Sequence, residues 1–343
     1  MPASPSASST PRRALHTHAI PALPLDGGAA LRHARMAYHL DGALTPARDN
    51  VVLVLHALTG SADAAGDWWR DVIGPQRALD TARWAVLAPN LLGSCYGSTG
   101  PALAGSEPFP RITVRDQARA VALLLDGLDI EQVALVTGGS LGGMVALELA
   151  ASFPGRVERA AVFAAGASLG AQAIAWSHLQ RRALETAGDD GLRLAREIAM
   201  MSYRSAESLG ERFGRRAGAQ GGFAVHEWLL AHGERLERRF DAATYRTLID
   251  AMDTHDLAAG RGGLAERLRR SGTAFTGIAI PGDLFCPARE VAARVAAAGG
   301  VYREIVSTHG HDAFLLEHEQ VSAILRDVLA PARGESRQNE EAA

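Results

Sequence analysis

The sequence predicts an α/β fold in which a mostly parallel sheet, flanked by helices, is interrupted by an inserted helical cap. Three observations predict it. Short apolar runs alternate with stretches of helical spacing, the pattern of strands buried under helices on both faces. One run leads through Gly138-Gly139-Ser140-Leu141-Gly142 straight into a helical pattern. A long stretch without a strand candidate, from about Ser168 to Arg270, separates the fourth apolar run from the fifth.

The strand candidates are Val51–Leu55, Trp84–Ala88 (ended by Pro89), Val133–Thr137, Ala160–Phe163, Phe275–Ile280 and Val301–Val306. Val114–Leu128 and Gly142–Phe153 carry the helical spacing between them. Five helices are expected in the insertion: Ile174–Glu185, Gly191–Met201, Ala206–Phe213, Val225–Phe240 and Ala243–Met252. Strand patterning resumes at Phe275, so the helices read as an insertion into one sheet and not as a second domain. The expected organisation is a tail over residues 1–18, a core over 19–167 and 271–332, a cap over 168–270, and a second tail over 333–343. The first tail is rich in Ser, Pro and Ala, and no apolar segment of signal-peptide type follows Arg12 and Arg13.

With 343 residues, 47% of them apolar, the chain has ample material for a buried core. A formal net charge of -3 gives no electrostatic footing for nucleic acid or an anionic membrane. No apolar run reaches the roughly 18 residues of a membrane span. All the side-chain cations that are not histidine are arginines, which excludes lysine Schiff-base and P-loop chemistry. Two cysteines, Cys95 and Cys286, make no disulfide framework, and a reducing, cytoplasmic setting is expected. The histidines lack metal-ligand spacing, so neither a metal nor a bound cofactor is expected.

A Gly-x-Ser-x-Gly on a strand-to-helix turn is the nucleophile elbow of the α/β-hydrolase fold, and it nominates Ser140. Small flanking residues let the chain turn sharply, and the helix start offers N–H groups to a developing oxyanion. A serine hydroxyl needs a base, and in this fold the order along the chain is Ser, acid, His. Asp283 follows the Phe275–Ile280 run and is the acid. His309 and His311 both follow the last run. His311 is preferred, because Gly310 before it permits a bend and Asp312-Ala313-Phe314-Leu315 reads as the next helix start. The oxyanion donors are assigned to the N–H of Leu141, after the nucleophile, and of Leu58, in the loop after Val51–Leu55.

With these pieces in place, the chain resembles the homoserine O-acetyltransferase family over roughly residues 30 to 330. The resemblance is carried by His56-Ala57-Leu58-Thr59-Gly60, Gly93-Ser94-Cys95-Tyr96-Gly97-Ser98-Thr99-Gly100-Pro101, Gly138–Met144, Ser202-Tyr203-Arg204-Ser205, Ala251–Asp256 and Gly310–Leu315. It implies transfer of an acetyl group from acetyl-CoA, as co-substrate, to L-homoserine through an acyl-serine, and a homodimer joined through the helical cap. By the same resemblance Arg204 pairs with the amino acid's carboxylate and Asp312 with its ammonium. The chain departs from the family at Ser61-Ala62-Asp63, at Ser177 and in a shortened Glu185–Gly191 loop. All three touch the cap or the mouth of the site, where donor and acceptor are chosen. Succinyl-CoA, serine and simple ester hydrolysis are the alternatives on the same machinery. A non-catalytic binding protein is disfavoured because all three triad members are present in order.

Overall fold

The computed structural model describes residues 13–103, 108–259 and 263–330. One eight-stranded sheet organises them, in the order β1-β2-β4-β3-β5-β6-β7-β8. The strands are β1 (His16–Pro24), β2 (Ala30–Asp41), β3 (Val51–Leu55), β4 (Ala85–Pro89), β5 (Leu135–Gly139), β6 (Arg159–Phe163), β7 (Ala274–Ala279) and β8 (Val301–Glu304). β1 and β2 pair antiparallel with each other, and β2 runs antiparallel to β4. Every pairing from β4 through β3 to β8 is parallel.

The parallel centre explains its own sequence. β3, β4 and β5 are buried at all their positions, so each needs an unbroken run of apolar or small residues and not an alternation. Helix α1 (Val114–Gly127) starts at Thr113, which forms a reciprocal capping box with Asp116. Helix α2 (Leu141–Ser152) is buried from Leu141 to Ala151, and all of those residues except Glu148 are apolar or glycine. On the opposite face, Trp69, Phe163 and Phe314 join one apolar cluster with Val321 and Leu325 of the C-terminal helix.

The β1–β2 ribbon is an addition to the expected strand set, and it draws His16, Thr17 and His18 out of the expected tail into β1. Residues 1–12 and 331–343, which hold the rest of the two expected tails, lie outside the described residues. The ribbon escapes an apolar-run search because it is an exposed edge. Only Ile20 and Leu23 of β1 are buried, and Pro21, with no N–H to give, falls opposite His33 at φ 53°.

Between β6 and β7 lie α3 (Ala171–Thr186), α4 (Gly191–Tyr203), α5 (Ala206–Arg212), α6 (Ala224–Glu237), α7 (Ala242–Asp253) and α8 (Leu264–Ser271). An antiparallel bridge between Ser168 and Asp256 pinches α3 to α7 off from the sheet. His255 closes the same neck, its Nε2 2.8 Å from the Gly166 carbonyl oxygen, and burial pulls its pKa down to about 4. Helix α8 packs against α2 and against α9 (Ala288–Ala298), in the layer that covers the sheet. The helical insertion therefore ends at the neck, although the sequence groups residues up to 270 with it. After β8 a 3-10 turn (Gly310–Leu315) leads to α10 (His318–Leu329). Among the described residues, no helix is long and apolar enough to cross a membrane.

Candidate active site

The site is built at the carboxyl ends of the parallel strands, where an open α/β sheet gathers its functional loops. β5 delivers Ser140 at φ 54°, ψ −125°, a positive-φ conformation that a non-glycine residue adopts only under constraint. The constraint is the packing of the bend. A Cβ on Gly142 would sit 2.1 Å from the Leu55 carbonyl oxygen, and one on Gly138 would sit 2.5 Å from the same atom. The Ser140 N–H donates to the Phe163 carbonyl at 3.0 Å, which ties the bend to β6.

β7 delivers Asp283 and the turn after β8 delivers His311. Nδ1 of His311 lies 2.7 Å from Oδ2 of Asp283, and both side chains are buried. The other oxygen of Asp283 accepts from the backbone N–H groups of Phe285 at 2.7 Å and Cys286 at 2.8 Å. This carboxylate is therefore held at both ends, and it holds the imidazole in turn. Burial works against the imidazolium, but the charge and hydrogen bond of Asp283, with Asp312 adding, raise the pKa of His311 above its ordinary 6.5. The rings of Tyr203, Phe285 and Phe314 surround the imidazole at 5.4, 5.0 and 6.0 Å between centroids. The sequence nominates none of the three as a site residue, although Tyr203 and Phe314 lie in stretches that carry the family resemblance.

Phe314 also joins the two halves of the site. Its ring fills the space beside Gly139, one residue before Ser140, where a Cβ would meet it at 2.3 Å. Ser140 makes no hydrogen bond to His311 in this geometry, and Nε2 of His311 is buried with no partner among the described residues. Such bonds commonly tighten only when substrate is bound. His309, the other candidate, faces away from Asp283: its Nδ1 lies 3.2 Å from a guanidinium nitrogen of Arg204 and 3.5 Å from Ser208 Oγ.

The loop after β3, which carries Leu58, is fixed by a residue to which the sequence assigns no role. His56 is fully buried. Its Nε2 accepts from the Leu91 N–H at 2.9 Å, so its Nδ1 carries the proton and donates to the Ala57 carbonyl at 2.8 Å. Burial pulls its pKa down to about 4, so it stays neutral. Gly60 N–H donates to the same carbonyl at 2.9 Å. In a trans peptide the N–H points opposite the C=O. Two donors on the Ala57 carbonyl thus fix the direction of the Leu58 N–H. Among the described residues, the N–H groups of Leu58 and Leu141 donate to no protein acceptor.

The insertion reaches the site through Tyr203, Arg204 and Ser205. Gly310 stands at φ 70° with its α-carbon so close that a Cβ would meet the Tyr203 carbonyl oxygen at 2.9 Å. Arg204 and Asp312 form an ion pair of 3.3 Å, at 10% and 15% side-chain exposure, next to His311 in the chain. Nε of Arg204 is buried without a partner among the described residues. A cation and an anion thus stand side by side next to the imidazole, the pair of charges that a zwitterion requires.

Comparison with known proteins fits this geometry. A family model described as the alpha/beta hydrolase fold matches residues 50–216. The homoserine O-acetyltransferase of Thermobifida fusca is 43% identical over 348 residues, 90% of this chain and 91% of that one. That of Thermus thermophilus is 45% identical over 342 residues, 89% of this chain and 88% of that one. Among solved structures, homoserine O-acetyltransferase from Staphylococcus aureus superposes with a TM-score of 0.84 at 26% identity, over 94% of this chain and 97% of that chain. Esterase E22 shares the fold at TM-score 0.84 and 20% identity, over 93% of this chain and 100% of that one. The chain belongs to the homoserine O-acetyltransferase family.

Proposed function

We propose that the protein transfers an acetyl group from acetyl-CoA to the hydroxyl of L-homoserine, a step toward methionine. The observation that carries the reading is the buried Asp283–His311 pair at the sheet edge that presents Ser140, with Arg204 and Asp312 beside it. In this reading Ser140 Oγ attacks the thioester carbonyl carbon while His311 Nε2 takes its proton. The N–H groups of Leu58 and Leu141 stabilise the oxyanion. The C–S bond breaks, and His311 returns the proton to the departing sulfur. The homoserine hydroxyl then attacks the acyl-serine, giving its proton to His311. The C–O bond to Ser140 breaks, and the proton passes back to Ser140 Oγ. Every proton is carried by a protein group, so the scheme calls on no metal and no bound cofactor.

Arg204 and Asp312 release one another when the amino acid arrives, the guanidinium taking its carboxylate and Asp312 its ammonium. Arg204→Ala is therefore expected to raise KM for homoserine at least about tenfold, with a much smaller change in KM for the thioester. Steady-state kinetics in both substrates check this; equal changes would make Arg204 a structural ion-pair partner only.

His56 positions the Leu58 N–H. His56→Leu leaves the Leu91 N–H unpaired and the Ala57 carbonyl with a single donor. The expected result is a stability loss of about 1–3 kcal/mol and, among folded molecules, a fall in kcat of about tenfold or more. Urea melts and kcat measured together separate the two effects. Full kcat in the folded variant would leave His56 with a packing role alone.

The protein is further proposed to work in the cytoplasm as a homodimer joined through the insertion. The half-exposed Ile174 and Leu179 of α3, Leu194 of α4 and Leu230 of α6 support that surface. Release of CoA that ignores homoserine would favour an ester hydrolase on the same triad, and product mass with a mixture of acetyl- and succinyl-CoA discriminates the donors.

A further inference from the structure

Beside the triad stands a second histidine that the acyl-transfer steps do not use. His309 precedes the 3-10 turn (Gly310–Leu315) and is half-buried against the insertion. A guanidinium nitrogen can only donate. Nη1 of Arg204, 3.2 Å away, therefore meets a bare Nδ1, and the proton of the neutral ring sits on Nε2. The Ser208 hydroxyl stands 3.5 Å from the same Nδ1. Two donors thus converge on one ring nitrogen. The backbone around the ring is fixed as well. The His309 N–H donates to Ser307 Oγ at 3.1 Å. From the insertion, the Ser205 hydroxyl donates to the Thr308 carbonyl, and its oxygen accepts from the Ser208 N–H at 3.0 Å. Gly310 packs so close that a Cβ there would meet the Ser205 nitrogen at 3.0 Å. The start of α5 and the turn that carries His311 are stitched together around His309 and Arg204.

The three nitrogens of Arg204 are used unequally. Nη1 meets His309, Nη2 meets Asp312 at 3.3 Å, and Nε has no partner among the described residues. Nε and Nη2 project their N–H groups from one edge of the planar group, an edge that can grip a carboxylate with two parallel bonds. Nη1 lies on the other side. Asp312 occupies only one nitrogen of the gripping edge, and it gives that nitrogen up when the amino acid arrives. Arg196 and Arg212 crowd the guanidinium with like charge. An acceptor on Nη1 therefore keeps the group in place while Asp312 turns to another partner.

We propose that His309 is a positioning residue for the acceptor. By accepting from Nη1 it turns the Nε–Nη2 edge of Arg204 toward the amino acid's carboxylate, and it holds that edge there after Asp312 has let go. The inference rests on the acyl-transfer reading and on Arg204 as the carboxylate's partner. It adds which edge of the guanidinium is offered and what keeps it aimed.

The test compares two acceptors in the whole protein: L-homoserine and 3-aminopropanol, which is homoserine without its carboxylate. His309→Leu removes the ring acceptor while keeping an apolar side chain in its place. It is expected to raise KM for homoserine about fivefold, with a much smaller change in kcat and in KM for acetyl-CoA. Its effect on kcat/KM for 3-aminopropanol should be far smaller, because that acceptor has no carboxylate to grip. His309→Asn, whose Oδ1 can stand where Nδ1 stood, is expected to restore most of the homoserine KM. In an Arg204→Ala background His309→Leu should add nothing. This cycle decides the matter even where 3-aminopropanol turns over too slowly to follow. Equal losses with the two acceptors, no rescue by His309→Asn, or an undiminished effect in the Arg204→Ala background would overturn the positioning role. A homoserine KM that rises in Arg204→Ala and stays unmoved in His309→Leu would overturn it too, and leave the reading of the site intact. Absence of O-acetylhomoserine from the unmodified protein would instead overturn the acyl-transfer reading, and this inference with it.

Discussion

Ser140→Ala is expected to lower acetyl transfer by about 10⁴-fold or more while the protein stays folded. The magnitude follows from removing a nucleophile whose partners act only through it, leaving the residual help of binding and oxyanion donors. The folded state should tolerate the change because the Ser140 hydroxyl makes no hydrogen bond among the described residues, while the bend is held by the backbone bond to Phe163 and by the close approach of Gly138 and Gly142 to Leu55. A thermal melt that coincides with the parent, together with lost turnover, is the predicted outcome. Retained turnover would remove Ser140 from the mechanism.

Asp283→Asn is expected to be nearly as severe, about 10⁴-fold in kcat. The amide nitrogen would face Nδ1 of His311 in place of an acceptor oxygen, or the side chain would flip and surrender the Phe285 and Cys286 N–H groups. The pH dependence carries a second signature. His311 must be neutral to accept a proton, so activity falls as pH drops through its pKa, which stands above 6.5. Removing the Asp283 charge leaves burial as the dominant influence, and burial favours the neutral ring. The acid limb of the residual activity should therefore move to lower pH in Asp283→Asn. An unmoved limb would assign it to another group.

Much of this arrangement is legible in the sequence because the physics is local. A strand buried on both faces needs an apolar run, and the runs at Val51, Ala160 and Phe275 locate β3, β6 and β7 to within a residue or two. The bend at Ser140 needs glycines where Leu55 approaches, and the glycines are written there. The choice of His311 over His309 rests on a bend at Gly310, and that bend carries the positive φ.

What escapes the sequence depends on tertiary partners. The β1–β2 ribbon alternates weakly and carries prolines and histidines, because it is an edge stabilised by pairing. Helix α8 looks like its neighbours in the insertion, and only its packing on α2 and α9 assigns it to the layer over the sheet. The role of His56 depends on the Leu91 N–H far along the chain.

The most direct test of the account is the mass of the intact protein after mixing with acetyl-CoA and no acceptor. The account predicts the gain of a single acetyl group on Ser140, and its loss when homoserine is added, with O-acetylhomoserine appearing in step. A protein that gains no acetyl group, or that keeps it in the presence of homoserine, would contradict the account.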